Sequence, residues 1–206
     1  MDIFKSNSLE FRRKFLVLAG AKIDIKDVDT DMDAGFIKMK AFKLKEDIRL
    51  FTDESMTTTL LAIKARQVID FGATYDVFDG PEKHQLFSLQ RKGLSSTFVR
   101  DTWFVLNNDG QKYAEISEVG DVALLHRYIG FLPIVGAVIE ILFWFTKQKY
   151  ELRLTDGGQL AGVIVRQKNP FIIKFTTHTE NAERTVDPQI LVAATAMLSV
   201  IDGSKN

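Results

Sequence analysis

Cysteine is absent from the 206 residues, which excludes disulfides, zinc–thiolate centres, iron–sulfur clusters and a cysteine nucleophile. Without covalent staples the fold must rest on its own core, which a chain of this length can build. Net charge is also absent, because 27 Lys and Arg balance 27 Asp and Glu. That balance argues against a polycation built to coat nucleic acid and against an acidic disordered tail, so no nucleic-acid partner is expected. The three histidines, His84, His126 and His178, are scattered, and none stands at the His-x3-His or His-Glu-x-x-His spacing of a metal site. No Gly-x-Ser-x-Gly elbow, Walker loop or dinucleotide fingerprint occurs. These absences point to a non-enzyme without cofactors. After the basic cluster in Phe11-Arg-Arg-Lys-Phe-Leu-Val-Leu-Ala-Gly20 the apolar run is too short for a secretory signal, so a cytoplasmic location is expected.

Short strand-like segments dominate from residue 36 onward. Phe36 to Lys45 alternates apolar and basic residues, with a slip of phase at Ala41-Phe42 that suggests a bulge. Three segments share a pattern in which an aromatic residue opens a strand that ends in Asp-Gly: Tyr75 to Gly80, Trp103 to Gly110 and Tyr150 to Gly157. Ile48 to Asp53 is a degenerate copy. Reiterated strand–turn units of this kind fit a meandering barrel or sandwich. The last interval is longer than the others, and the extra length matches an apolar insertion, Tyr128 to Phe145. A second apolar stretch runs from Pro188 to Ile201, with Asp187 as N-cap and Gly203 as stop. It is apolar nearly all round and too short to span a bilayer, which predicts a helix buried on every side within the strands.

From about Phe36 to Gly203 the chain resembles the LURP-one-related proteins, relatives of phospholipid scramblases and of the tubby C-terminal domain. The resemblance is carried chiefly by Leu61-Ala-Ile-Lys-Ala-Arg-Gln-Val-Ile-Asp-Phe-Gly-Ala-Thr-Tyr-Asp-Val-Phe-Asp-Gly80. Leu89 to Gly93, Arg100 to Trp103, Ala123 to Arg127, Asn169 to Phe171 and the terminal helix support it. It implies a mainly β fold, a twelve-stranded antiparallel barrel enclosing the hydrophobic C-terminal helix. It also implies a membrane-linked role, since tubby domains bind phosphoinositides and scramblase relatives are linked to lipid movement and Ca²⁺. One domain is expected overall, with residues 1–35 as an N-terminal extension carrying the first barrel elements and 36–206 as the barrel.

Three features are candidate sites. Asp27-Val-Asp-Thr-Asp-Met-Asp33 spaces carboxylates as calcium loops do, but Ala34 and Lys40, or Met32 and Lys38, fall where the loop Gly and bidentate Glu belong. An acidic solvated loop is the expectation, with no metal. Lys38 and Lys40, then Lys43 and Lys45, share strand faces, as do Lys64 and Arg66, with Arg91 and Lys92 nearby in sequence. Such cations could hold phosphate head groups, or they could be ordinary solvated strand residues that discourage aggregation.

The insertion holds one charge, Glu140. Read as a helix about 27 Å long, it gathers Gly130, Pro133, Gly136, Ala137 and Glu140 on one side. The broad apolar remainder includes Phe131, Leu132, Ile134, Val135, Val138, Ile139, Leu142, Phe143, Trp144 and Phe145. His126 and Arg127 before it and Lys147 and Lys149 after it suit head groups. A monotopic membrane anchor and burial in a protein interface both satisfy this profile. A transmembrane span would put the repeats on opposite sides of the bilayer, which one barrel forbids. The expected partner is an anionic phospholipid or membrane surface, on the inner face of the plasma membrane. The alternative is a soluble interaction module that forms a homo-oligomer through the insertion.

Overall fold

The computed structural model describes residues 2–14, 20–40, 47–66, 72–92, 101–120, 147–168, 172–180 and 186–202. A 3-10 turn, Ile3–Lys5, precedes twelve strands and one helix. The strands are β1 (Ser8–Lys14), β2 (Gly20–Asp27), β3 (Asp33–Lys40), β4 (Asp47–Phe51), β5 (Thr59–Ala65) and β6 (Thr74–Asp79). They continue with β7 (Gln85–Arg91), β8 (Thr102–Leu106), β9 (Lys112–Val119), β10 (Lys147–Leu154), β11 (Leu160–Lys168) and β12 (Ile172–Thr179). The helix, α1, is Pro188–Asp202.

The strands form a closed antiparallel meander in which each pairs with its sequence neighbours and β1 pairs with β12. Closure sets Phe11 opposite Phe175 and joins residues far apart in sequence. Residues before 36 are therefore integral: β1 and β2 occupy the seam of the barrel, and the segment from Phe11 to Lys14 is strand. β3 ends at Lys40, and the bulge anticipated at Ala41-Phe42 lies outside the described residues.

The sequence repeat corresponds to the even strands β4, β6, β8 and β10, which all run in one direction around the barrel. Their opening aromatics Tyr75, Trp103 and Tyr150 are buried, and Tyr75 lies 6.0 Å from Trp103 between ring centroids. Gly80 and Gly110 close two of the units with φ of 53° and 79°, the left-handed conformation that glycine adopts without a Cβ penalty.

Helix α1 fills the barrel, and every residue from Ile190 to Ile201 is buried. Asp187 caps it as anticipated, its Oδ1 accepting from the Gln189 amide at 2.9 Å. The hydroxyls that break its apolar surface are satisfied within the helix: Thr195 donates to the Leu191 carbonyl at 2.8 Å and Ser199 to that of Ala196 at 2.7 Å. Close approach of helix and wall depends on Gly162 of β11, where a Cβ would stand 2.9 Å from Leu191 Cδ2. At the far end Arg13, itself buried, donates from Nη1 to the carbonyls of Ser199 and Val200. A cation there complements the negative end of the helix dipole.

Candidate functional site

Antiparallel alternation puts every second connection on the same rim, and the two rims differ in charge. One rim carries the turns 28–32, 52–58, 80–84, 107–111 and 155–159. These hold Asp29 and Asp31, Asp53 and Glu54, Glu82, Asp109 and Asp156, against Lys83 alone. At the other rim β1 ends in Arg12-Arg13-Lys14 and β3 in Lys38-Met39-Lys40. β5 arrives there with Lys64, β7 with Arg91 followed by Lys92, and β11 with Arg166-Gln167-Lys168. β2 leaves it through Lys22, β10 through Lys147 and Lys149, and β12 through Lys174. Over the same stretches the acids are Asp47, Asp76, Asp101 and Glu118. The chain is neutral overall, but among the described residues acids gather toward one end of the barrel and bases toward the other, with Glu54 and Glu82 reaching back to Lys22 and Lys64. The positive end of α1 points to the acidic rim and its negative end to the basic one, so the helix dipole offsets the polarity of the wall.

Several of the candidate phosphate-binding cations are already engaged. Lys64 bridges to Glu82 at 2.5 Å, and Glu82 also accepts from Arg49, which forks onto Asp47. Arg66 forks onto Asp76 at 3.0 and 2.6 Å, and the hydrogen bond to that carboxylate raises its pKa. Ser88 and Gln85 donate to the same carboxylate. Arg91 pairs with Asp101 at 3.1 Å and lies 5.7 Å over the Trp103 ring. Register sets Arg91 opposite Trp103 and surrounds Lys64 with Asp47 and Asp76, while the ion pairs themselves form with residues off the direct register. On the outer wall of β4 to β6, cation and carboxylate cancel locally.

Lys38 and Lys92 differ: both are exposed and neither forms a salt bridge with a described residue. Lys40 closes β3, while Lys43 and Lys45 lie outside the described residues. So does the whole apolar insertion, with Phe131, Leu132, Ile134, Val135, Val138, Ile139, Leu142, Phe143, Trp144 and Phe145. The strands on either side of it are nonetheless informative. β9 and β10 are antiparallel neighbours, with Val119 opposite Lys149, so residues 121–146 begin and end on adjacent strands at the basic rim. A single crossing of a bilayer between those strands is incompatible with their pairing. Among the described residues no helix is long and apolar enough to cross a membrane.

Inside the basic rim lies a polar layer that sequence reasoning missed. Arg166 donates to the side-chain Oε1 of Gln148, and Gln148 Nε2 donates to Glu118 at 3.2 Å. Glu118 is buried and stands opposite Tyr150, and Arg166 stands opposite Phe175, so both occupy inward-facing positions. Arg13, from β1, meets the C-terminal turn of the helix at the same end of the barrel. The available signal was polar residues in phase with buried apolar neighbours along β1, β9 and β11.

The aspartate run near residue 30 is structural. Asp27 is buried and accepts from the Thr30 amide at 2.8 Å and its hydroxyl at 2.9 Å, closing the β2–β3 turn, while Asp31 accepts from Lys26. Among the described residues no cluster of potential ligands could hold a metal ion. A Ser–His hydrogen bond does occur, between Ser8 Oγ and His178 Nδ1 at 3.0 Å. The two face each other across the β1–β12 seam, and Ser8 is buried, so the contact is explained by strand register.

Comparison with known proteins agrees with this architecture. The family model described as LURP-one-related matches residues 34–201. No curated protein and no solved structure matches the chain.

Proposed function

The chain belongs to the LURP-one-related family, and from that premise we propose that it is a non-catalytic, membrane-peripheral module that binds anionic phospholipid, phosphoinositides included. The observation that carries the reading is the attachment of an 18-residue apolar stretch, 128–145, to the cationic end of a charge-polarised barrel. An apolar segment flanked by cations gains from both components of a membrane interface. Its side chains leave water for acyl chain, and each nearby Lys or Arg adds about 1 kcal/mol of attraction to an anionic leaflet. The acidic rim, at the other end, would face away. In this reading the protein works at the cytoplasmic face of the plasma membrane, and a scramblase-related role falls within it.

Sedimentation with vesicles tests the proposal. Purified full-length protein is expected to pellet with phosphatidylcholine vesicles that contain phosphatidylserine, and deletion of 128–145 is expected to abolish pelleting. If the intact protein stays in the supernatant with every vesicle, and the deletion only dissociates an oligomer, the insertion is a protein interface and the lipid reading is wrong.

A further inference from the structure

Among the described side chains, the exposed cations that form no salt bridge are Lys38, Lys83, Lys92 and Lys147. Lys83 sits in a turn of the acidic rim. The other three belong to the basic rim: Lys38 near the end of β3, Lys92 directly after β7, and Lys147 opening β10. Around the ring of strands, β3, β7 and β10 are separated by steps of four, three and five strands. Three points spread this evenly at one end of a cylinder define a plane across its axis.

We infer that the barrel docks end-on onto an anionic bilayer, standing on Lys38, Lys92 and Lys147 with the helix axis across the membrane plane and the acidic rim directed away. This orientation rests on the lipid-binding reading above. Lys64, Arg66 and Arg91 would have to leave carboxylates 2.5 to 3.1 Å away to meet a phosphate, whereas none of the three lysines is in a salt bridge, Lys92 being attracted to Glu115 only at longer range. Lys38 has a further reason to accept an anion. It stands directly opposite Lys22 in the β2–β3 ladder, and like charges so placed repel. Lys22 is only loosely paired, with Glu54 at 3.8 Å. A lipid phosphate beside the two ammonium groups relieves that repulsion. The neutral chain feels no net pull toward an anionic surface, so its end-to-end charge separation is what turns it.

The test compares full-length wild type with the triple variant Lys38→Ala, Lys92→Ala, Lys147→Ala and with Lys83→Ala. All are checked for native circular dichroism and assayed on phosphatidylcholine vesicles with and without phosphatidylserine. Loss of three attractions lowers the partition coefficient of the triple variant on anionic vesicles by on the order of 100-fold, and Lys83→Ala leaves it unchanged. Wild-type binding is expected to weaken as salt rises. Because the chain has no cysteine, single labels report orientation. A dye at Gln167→Cys, on the basic rim, is expected to be quenched by a lipid-borne quencher, and one at Asp109→Cys, on the acidic rim, is not. Binding of wild type with an unaffected triple variant, or equal quenching at both labels, overturns end-on docking and leaves the lipid reading standing. Failure of the wild type to bind any vesicle overturns both.

Discussion

Arg13 of β1 donates from Nη1 to the carbonyl oxygens of Ser199 and Val200, at 3.2 and 3.1 Å, and so ties the first strand to the last turn of the central helix. The contact joins residues 186 and 187 positions apart in sequence and sits in the buried interior. Removing the guanidinium leaves helix carbonyls without that partner in a site closed to water. Arg13→Met, which keeps most of the side-chain volume, is expected to destabilise the fold by about 2–3 kcal/mol. Urea unfolding checks this as a lower midpoint at unchanged slope.

Gly162 and Leu191 form a tight pair between wall and helix. Gly162→Ala puts a methyl group 2.9 Å from Leu191 Cδ2 and 3.1 Å from the His178 carbonyl oxygen. The expected cost is about 1–3 kcal/mol of overpacking. Leu191→Ala alone also destabilises, by leaving a cavity. The double variant should lose less than the sum of the two, since each change relieves the other, and a double-mutant cycle measures that coupling.

Acid should weaken the protein through its outward-facing carboxylates. Glu151 lies between Lys149 at 3.0 Å and Arg153 at 2.8 Å, and the hydrogen bond from Lys149, opposed by partial burial and reinforced by Arg153, holds its carboxyl below the usual range. A carboxylate whose pKa is lowered on folding contributes its stability above the unfolded value, about 4.3, and loses it as pH falls through the lower folded value. Stability is therefore expected to decline below about pH 4, and Glu151→Gln to flatten that decline. Because the partner cations are well exposed, the contribution at neutral pH stays under about 1 kcal/mol. Thermal melts between acidic and neutral pH read out both effects.

The engaged wall cations should be dispensable for membranes. Lys64→Gln and Arg66→Gln break ion pairs with Glu82 and Asp76 and are expected to leave vesicle partitioning unchanged. Each should lower stability by less than about 1 kcal/mol. A large fall in binding to phosphatidylserine vesicles would instead place the lipid contact on the wall of β4 to β6.

Much of the architecture is legible along the chain because it depends on local chemistry. Tyr75, Trp103 and Tyr150 announce even strands because each inward aromatic is followed by alternating burial and an Asp-Gly turn. Asp187 and Pro188 announce the helix start, and the apolar circumference of the helix announces its place inside. The candidate site is less legible. Lys38, Lys64, Arg66 and Lys92 read alike as strand cations, yet Lys64 and Arg66 are in salt bridges and Lys38 and Lys92 are not. What separates them is whether a neighbouring strand or turn presents a carboxylate, and the partners here come from 10 to 18 positions away.

The sequence by itself determined that this protein is a cysteine-free β meander with a buried terminal helix, because strand alternation, positive-φ turns and helix caps are set within a few residues. The tertiary structure alone decided how its balanced charges are distributed. Antiparallel pairing sends alternate connections to opposite rims, and the β1–β12 closure fixes which side chains meet across the ring. A chain whose charges sum to zero thereby becomes a barrel with one acidic end and one basic end. Lys38, Lys92 and Lys147 lie toward that basic end, where none of them forms a salt bridge with a described residue.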